Sequence, residues 1–155
     1  MLSSGNILHI DNFEFRDGSS KDKFLIVICN RGNDYVVINL TSSQVYVNDK
    51  DIVCGCIHTE NKHCYHFPAK KVIGVNGFAF PKNTFVYFSQ LTPIKAELIS
   101  KKYIETNQAK LVDTLAEGEY NELVYCAYKG DQVNKRVKLI LEEYLKDIYG
   151  SDQEE

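Results

Sequence analysis

Residues Asp17 to Ser43, DGSSKDKFLIVICNRGNDYVVINLTSS, decide how the front of this chain is read. A Gly-Ser loop ends in Lys21, Asp22 and Lys23, and the apolar run Phe24 to Cys29 follows at once. A second β-branched run, Tyr35 to Leu40, delivers Thr41, Ser42 and Ser43 at its far end. Two such runs joined by the tight turn Arg31-Gly32-Asn33-Asp34 read as a β-hairpin. The entry of the first strand and the exit of the second then lie side by side. Lys23 and Thr41 are therefore expected at one end of the sheet, and a cation facing a hydroxyl suits a phosphate.

Outward from the hairpin, the chain reads as many short strands. Ile7 to Ile10 with Phe13 and Phe15 suggest an opening strand, broken at Asp17-Gly18-Ser19-Ser20. Ile52 to His58 and His63 to Phe67 alternate on either side of Thr59-Glu60-Asn61-Lys62, and Thr84 to Ser89 is strongly β-like. Frequent turns between short strands point to a small barrel or a strongly bent antiparallel sheet. From about Asn107 the period changes. Leu111, Val112 and Leu115 are spaced for a helix ending at Gly118, and Tyr120, Leu123, Val124 and Ala127 for a second ending at Gly130. Asp131 is placed to cap a third helix, whose face is Val133, Val137, Ile140, Leu141, Tyr144 and Ile148. The expected organisation is one compact domain: β structure over 1–105, a helical extension packed on it over 106–150, and a frayed tail over 151–155.

A length of 155 residues provides enough core to fold unaided. No apolar run approaches the roughly 20 residues that span a bilayer. The opening MLSSGNILHIDNF lacks a basic region followed by an apolar core, so no signal peptide is expected. Five cysteines, an odd number without an export signal, suggest reduced thiols and a cytoplasmic location. Net charge is +2 over residues 1–105 and −5 over 106–155. Neither part binds nucleic acid by bulk charge, so any phosphate binding must be local and shaped.

Gly18-Ser19 followed by Lys23-Phe24-Leu25-Ile26-Val27-Ile28 resembles the MazF/PemK (Kid-type) toxins, in which a Gly-Ser loop precedes an Arg-Pro pair entering a buried strand. Leu40-Thr41-Ser42 is similar to the Leu-Thr-Ser stretch closing their next strand. Thr84-Phe85-Val86-Tyr87 with Leu91 and Ile94 is similar to their late strand and the segment after it. The resemblance spans residues 5 to about 125 and rests on the order and spacing of short motifs. It implies an α+β, mainly β fold: an SH3-like antiparallel barrel followed by C-terminal helices. It also implies a homodimeric endoribonuclease of a toxin–antitoxin system, cutting single-stranded RNA and silenced by a cognate antitoxin.

The family's catalytic Arg maps onto Lys23 and its catalytic Thr onto Thr41, with Phe24 replacing the family's Pro. Lysine offers a point charge where arginine offers a planar fork. Ser19, Ser20, Lys21 and Ser42 flank this pair as candidate substrate-binding residues. The implied chemistry is attack of a ribose 2′-OH on the adjacent phosphate, which needs a general base. Lysine, titrating near about 10.4, is protonated at neutral pH and cannot serve. His58 and His66 are the candidates for substrate contact and for that role.

Both histidines belong to a Cys/His cluster: Cys54, Cys56 and His58 alternate on one segment, Cys64 and His66 on the next. If the two faces coincide, Cys54, Cys56, Cys64 and His66 form a zinc ligand set. The C-x-C and C-x-H spacings are not the usual knuckle, and alternate strand side chains stand about 6–7 Å apart. The expectation is therefore no metal and no other cofactor, with packing or surface roles for these residues. Two alternatives to an endoribonuclease remain: a non-catalytic barrel module binding protein or RNA, and a metal-stabilised regulatory module.

Overall fold

The computed structural model describes residues 1–32 and 34–149, and within them an α+β, mainly β architecture. Asn33 of the expected turn, the expected frayed tail at 151–155 and the Ile148 side chain lie outside what is described. The Phe24–Cys29 run lies in β2 (Ser20–Asn30), which pairs antiparallel with β3 (Tyr35–Leu40) and with β1 (Asn6–Glu14). The expected hairpin is therefore present.

β2 is the middle strand of a five-stranded antiparallel sheet ordered β7-β3-β2-β1-β8, where β7 is Thr92–Lys95 and β8 is Ala109–Thr114. Its unbroken apolar run follows from cover on both faces. Ile26 and Ile28, with partly buried Phe24, join the main core, whereas Leu25 and Val27 join a second core with Leu8, Ile10, Val36 and Ile38. That second core is capped by Ile99 and Tyr103, from the short helix α1 (Ala96–Ile99) and the π-helical turn Ser100–Ile104 that continues it.

A second antiparallel sheet, β4-β5-β6, contains Gly55–His58, His63–Phe67 and Thr84–Tyr87. Its link to the first is the bridge between Ser42 and Phe85. Among the described residues these two sheets do not close into one barrel. The main core fills the space between them and two helices, α2 (Glu117–Lys129) and α3 (Lys135–Tyr149). Leu123, Val124, Ala127, Val137 and Leu141 are fully enclosed there, and the Tyr120 hydroxyl donates to Ile28 O at 2.7 Å. The stripe on α3 is thus used within the chain, with Ile140 and Tyr144 packed against the same core. No helix of the described residues is long and apolar enough to cross a membrane.

Three local expectations are corrected. Ala109–Thr114 is a strand, paired with β1 from Asn6↔Thr114 to Ile10↔Ala109, and not the first C-terminal helix. Its few apolar residues fit either period, and an available edge of β1 decides for strand. Gly118 consequently sits in the first turn of α2 and ends nothing. The cap of α3 is Asn134, whose Oδ1 accepts the Val137 N–H at 2.9 Å, in place of Asp131.

The expectation of reduced thiols is corrected too. Cys56 and Cys126 form a disulfide with a Cα–Cα distance of 5.7 Å, while Cys29, Cys54 and Cys64 are free. The pairing follows from the α2–sheet packing, since β4 turns Cys56 toward the helix carrying Cys126.

Candidate functional site: a lysine-rich cleft

Where β2 begins and β3 ends, the two sheets leave an open cleft of about 290 Å³. β2 contributes Lys21, Asp22, Lys23 and Phe24, and β1 contributes His9. Thr41 and Ser43 come from the exit of β3, and Phe80, Pro81, Lys82 and Thr84 from the approach to β6. Three lysines against one carboxylate make the cleft cationic in a chain of net charge −3. Aromatic Phe24 and Phe80, in edge-to-face contact at 5.2 Å, form its apolar floor.

Lys23 and Thr41 do meet, through different atoms from those expected. The Lys23 ammonium donates to the Thr41 carbonyl at 2.7 Å. The Thr41 hydroxyl is buried and donates back to Phe24 O at 3.3 Å, alongside the Thr41 N–H at 3.0 Å. The register Leu25↔Leu40 sets this, placing Thr41 opposite Phe24 and leaving the longer Lys23 to reach across. Half-burial of Lys23, with Lys21 nearby, lowers its pKa from the ordinary lysine value.

Beside the lysines stands an imidazole absent from the sequence-based set. His9 pairs with Phe24 across the sheet, its ring edge-on to Phe24 at 5.1 Å. Its Nδ1 lies 3.1 Å from Asp11 Oδ1. A bulge in β1 after Ile10 gathers His9, Asp11 and Asp22, and Asp22 Oδ1 accepts the Asn12 N–H at 2.9 Å. An imidazole steadied at one nitrogen by a carboxylate can exchange a proton at the other. The His9-Ile10-Asp11 spacing, which puts both groups on one face of a strand, was the available signal. Lys82 gave none, because only the sheet-to-sheet contact brings it near β2.

The other expected site residues lie elsewhere. Ser42 stitches the sheets together, its N–H donating to Phe85 O at 3.0 Å and its Oγ accepting from Gln44 N at 3.0 Å. Ser19 bonds Asp17 within its own loop, and Ser20 pairs with Glu14 at the start of β2. His66 is buried in the second sheet, stacked on Phe85 at 4.5 Å with Nδ1 at 2.9 Å from Val53 O. His58, half-exposed, has Nε2 3.7 Å from Asp131 Oδ1. Neither histidine lines the cleft.

The zinc set Cys54, Cys56, Cys64 and His66 is undone by parity. The register Cys56↔Tyr65 and Ile57↔Cys64 puts Cys64 on the opposite face from Cys56. Cys64 is sealed among Val47, Ile57, Phe85 and Tyr87, where burial raises its thiol pKa to about 11. Cys54 is exposed and takes a hydrogen bond from Lys71 Nζ at 3.2 Å. No family model and no curated protein matches this chain.

Proposed function

We propose that the lysine-rich cleft binds the phosphates of single-stranded RNA and that His9 acts there as the general base of an endoribonuclease. The observation that carries this reading is the presence of Lys21, Lys23 and Lys82 in one cleft with the Asp11-steadied His9. Lys23 neutralises a non-bridging phosphoryl oxygen, and Lys21 and Lys82 hold the neighbouring backbone. His9 removes the ribose 2′-OH proton, the 2′-oxygen attacks phosphorus, and the 5′-oxygen departs with a proton from water, leaving a 2′,3′-cyclic ester. Phe24, only partly buried, gives the base beside that ribose an aromatic surface.

The resemblance of Gly18-Ser19, Lys23 to Ile28 and Leu40-Thr41-Ser42 to MazF/PemK toxins supports the same reading. On it, the two sheets joined at Ser42–Phe85 correspond to the halves of an SH3-like barrel. An antitoxin and a second copy of the chain are then the expected partners. A second reading, a non-catalytic RNA-binding module, has one observation in its favour. Lys23 and Thr41 are already engaged with backbone carbonyls, so neither is free for chemistry without rearrangement.

End-labelled single-stranded RNA incubated with the purified protein separates the two. The wild type should cleave, and His9→Ala should cut the rate by about 10²–10⁴ while RNA binding persists. Lys23→Ala should lower the rate by about 10²–10³. Salt-sensitive binding without cleavage would establish the non-catalytic module, and neither binding nor cleavage would remove RNA from this cleft.

A further inference from the structure

Apart from the cleft, the register of the second sheet gathers a group of soft ligands that the cleft does not use. The Cys56 and Cys126 sulfurs and one ring nitrogen of His63 all lie within 4.8 Å of one another, drawn from β4, α2 and β5. His63 Nε2 is 3.6 Å from Cys126 Sγ. His58 pairs with His63 across the sheet on the same face, their rings 4.5 Å apart.

His63 is buried, and its other nitrogen, Nδ1, has no hydrogen-bond partner. Buried polar atoms are rarely left so. The chain also makes room for this ring: a Cβ at Gly130 would fall 1.6 Å from His63 Nδ1, so only glycine fits where α2 ends.

We propose that Cys56, His58, His63 and Cys126 are a redox-gated zinc site, closed while the Cys56–Cys126 disulfide is intact and opened by its reduction. Two thiolates and two imidazoles are a tetrahedral zinc set. Zn–S bonds of about 2.3 Å put tetrahedral thiolates about 3.8 Å apart, a separation that side-chain rotation alone can supply once the sulfurs are no longer bonded. Cys56 is exposed, so a reductant can reach the bond.

The exchange balances with a dithiol reductant. Its two S–H bonds give way to one S–S bond, and its two electrons and two protons pass to the Cys56 and Cys126 sulfurs. Zn²⁺ then displaces those two protons on binding. In the reverse direction a peroxide takes two electrons from the thiolates, consumes two protons, forms water and re-forms the disulfide, and Zn²⁺ leaves.

Cobalt is the probe, since Co²⁺ in a tetrahedral thiolate site is coloured and Zn²⁺ bleaches it by displacement. The full chain, reduced with a dithiol and desalted without oxygen, should bind one Co²⁺ with tetrahedral d–d bands and thiolate charge transfer. The unreduced chain should show neither. Peroxide should release the metal, and the disulfide should be recovered by mass. Cys56→Ser, at an exposed position and so compatible with folding, should lose half the charge-transfer intensity or all binding. His63→Gln should abolish the tetrahedral spectrum with the circular dichroism retained, and His58→Gln should shift the d–d bands. A reduced wild type without thiolate–cobalt absorption, or Cys56→Ser and His63→Gln spectra identical to it, would overturn the proposal.

Discussion

Removing the Asp113 carboxylate should destabilise the fold out of proportion to the side chain's size. Asp113 lies in β8, 3% exposed, and its two oxygens organise the loop that leads from Gly74 back into the core. They accept the backbone N–H groups of Asn76 at 3.0 and 3.1 Å, Phe78 at 3.0 Å and Thr114 at 2.7 Å, with the Asn76 side-chain amide at 3.2 Å. Asp113→Ala leaves three backbone donors without their acceptor. Each costs about 1–3 kcal/mol if it stays dry, and water entering the vacated space relieves part of this. With one donor re-solvated, the remaining two cost about 2–6 kcal/mol, a large share of the 5–15 kcal/mol typical of a domain.

At this chain length that corresponds to a drop in Tm of roughly 4–24 °C, readable by circular dichroism. The acid dependence gives a second check. Burial works to raise the Asp113 pKa, but the Phe78, Thr114 and Asn76 hydrogen bonds outweigh it and hold the carboxyl below its ordinary value. The stabilisation is therefore complete above the unfolded-state pKa of about 4 and fades as pH falls through the lower folded-state value. The difference in stability between wild type and Asp113→Ala should shrink in that acid range. A variant within about 1 kcal/mol of wild type at neutral pH, or a difference unaffected by acid, would refute this account of the loop.

The same carboxylate constrains its neighbour. A Cβ at Gly74 would fall 2.0 Å from Asp113 Oδ2, so Gly74→Ala should cost about 1–3 kcal/mol by denaturant titration, and a neutral result would show that the loop shifts freely. On α3, Ile140 packs against the main core, so Ile140→Asp should unfold the chain or lower its midpoint sharply. A well-folded monomer from a dimeric wild type, measured by light scattering, would place that face at an interface between copies instead.

The front of the molecule was legible because its local signals agree. Phe24–Cys29 and Tyr35–Leu40 are too apolar and β-branched to be anything but central strands, and a short turn fixes which ends meet. Lys21, Lys23 and Thr41 therefore fall together at one end of the sheet. The stripes of α2 and α3 were legible for the same reason, since a 3.6-residue apolar period sustained over several turns has one interpretation.

Three features depended on tertiary structure. β8 is a strand because β1 offered an unpaired edge, a fact absent from Ala109–Thr114 itself. The cleft acquired Lys82 because one sheet leans on the other, and His9 because β1 pairs it with Phe24, long-range contacts that neither segment shows by itself. The Cys/His residues sorted into a disulfide with two histidines beside it, rather than into Cys54, Cys56, Cys64 and His66, because strand pairing fixes which residues share a face. Spacing within each segment reveals its alternation, but the register between segments decides which alternating sets meet, and a shift of one residue would exchange them all.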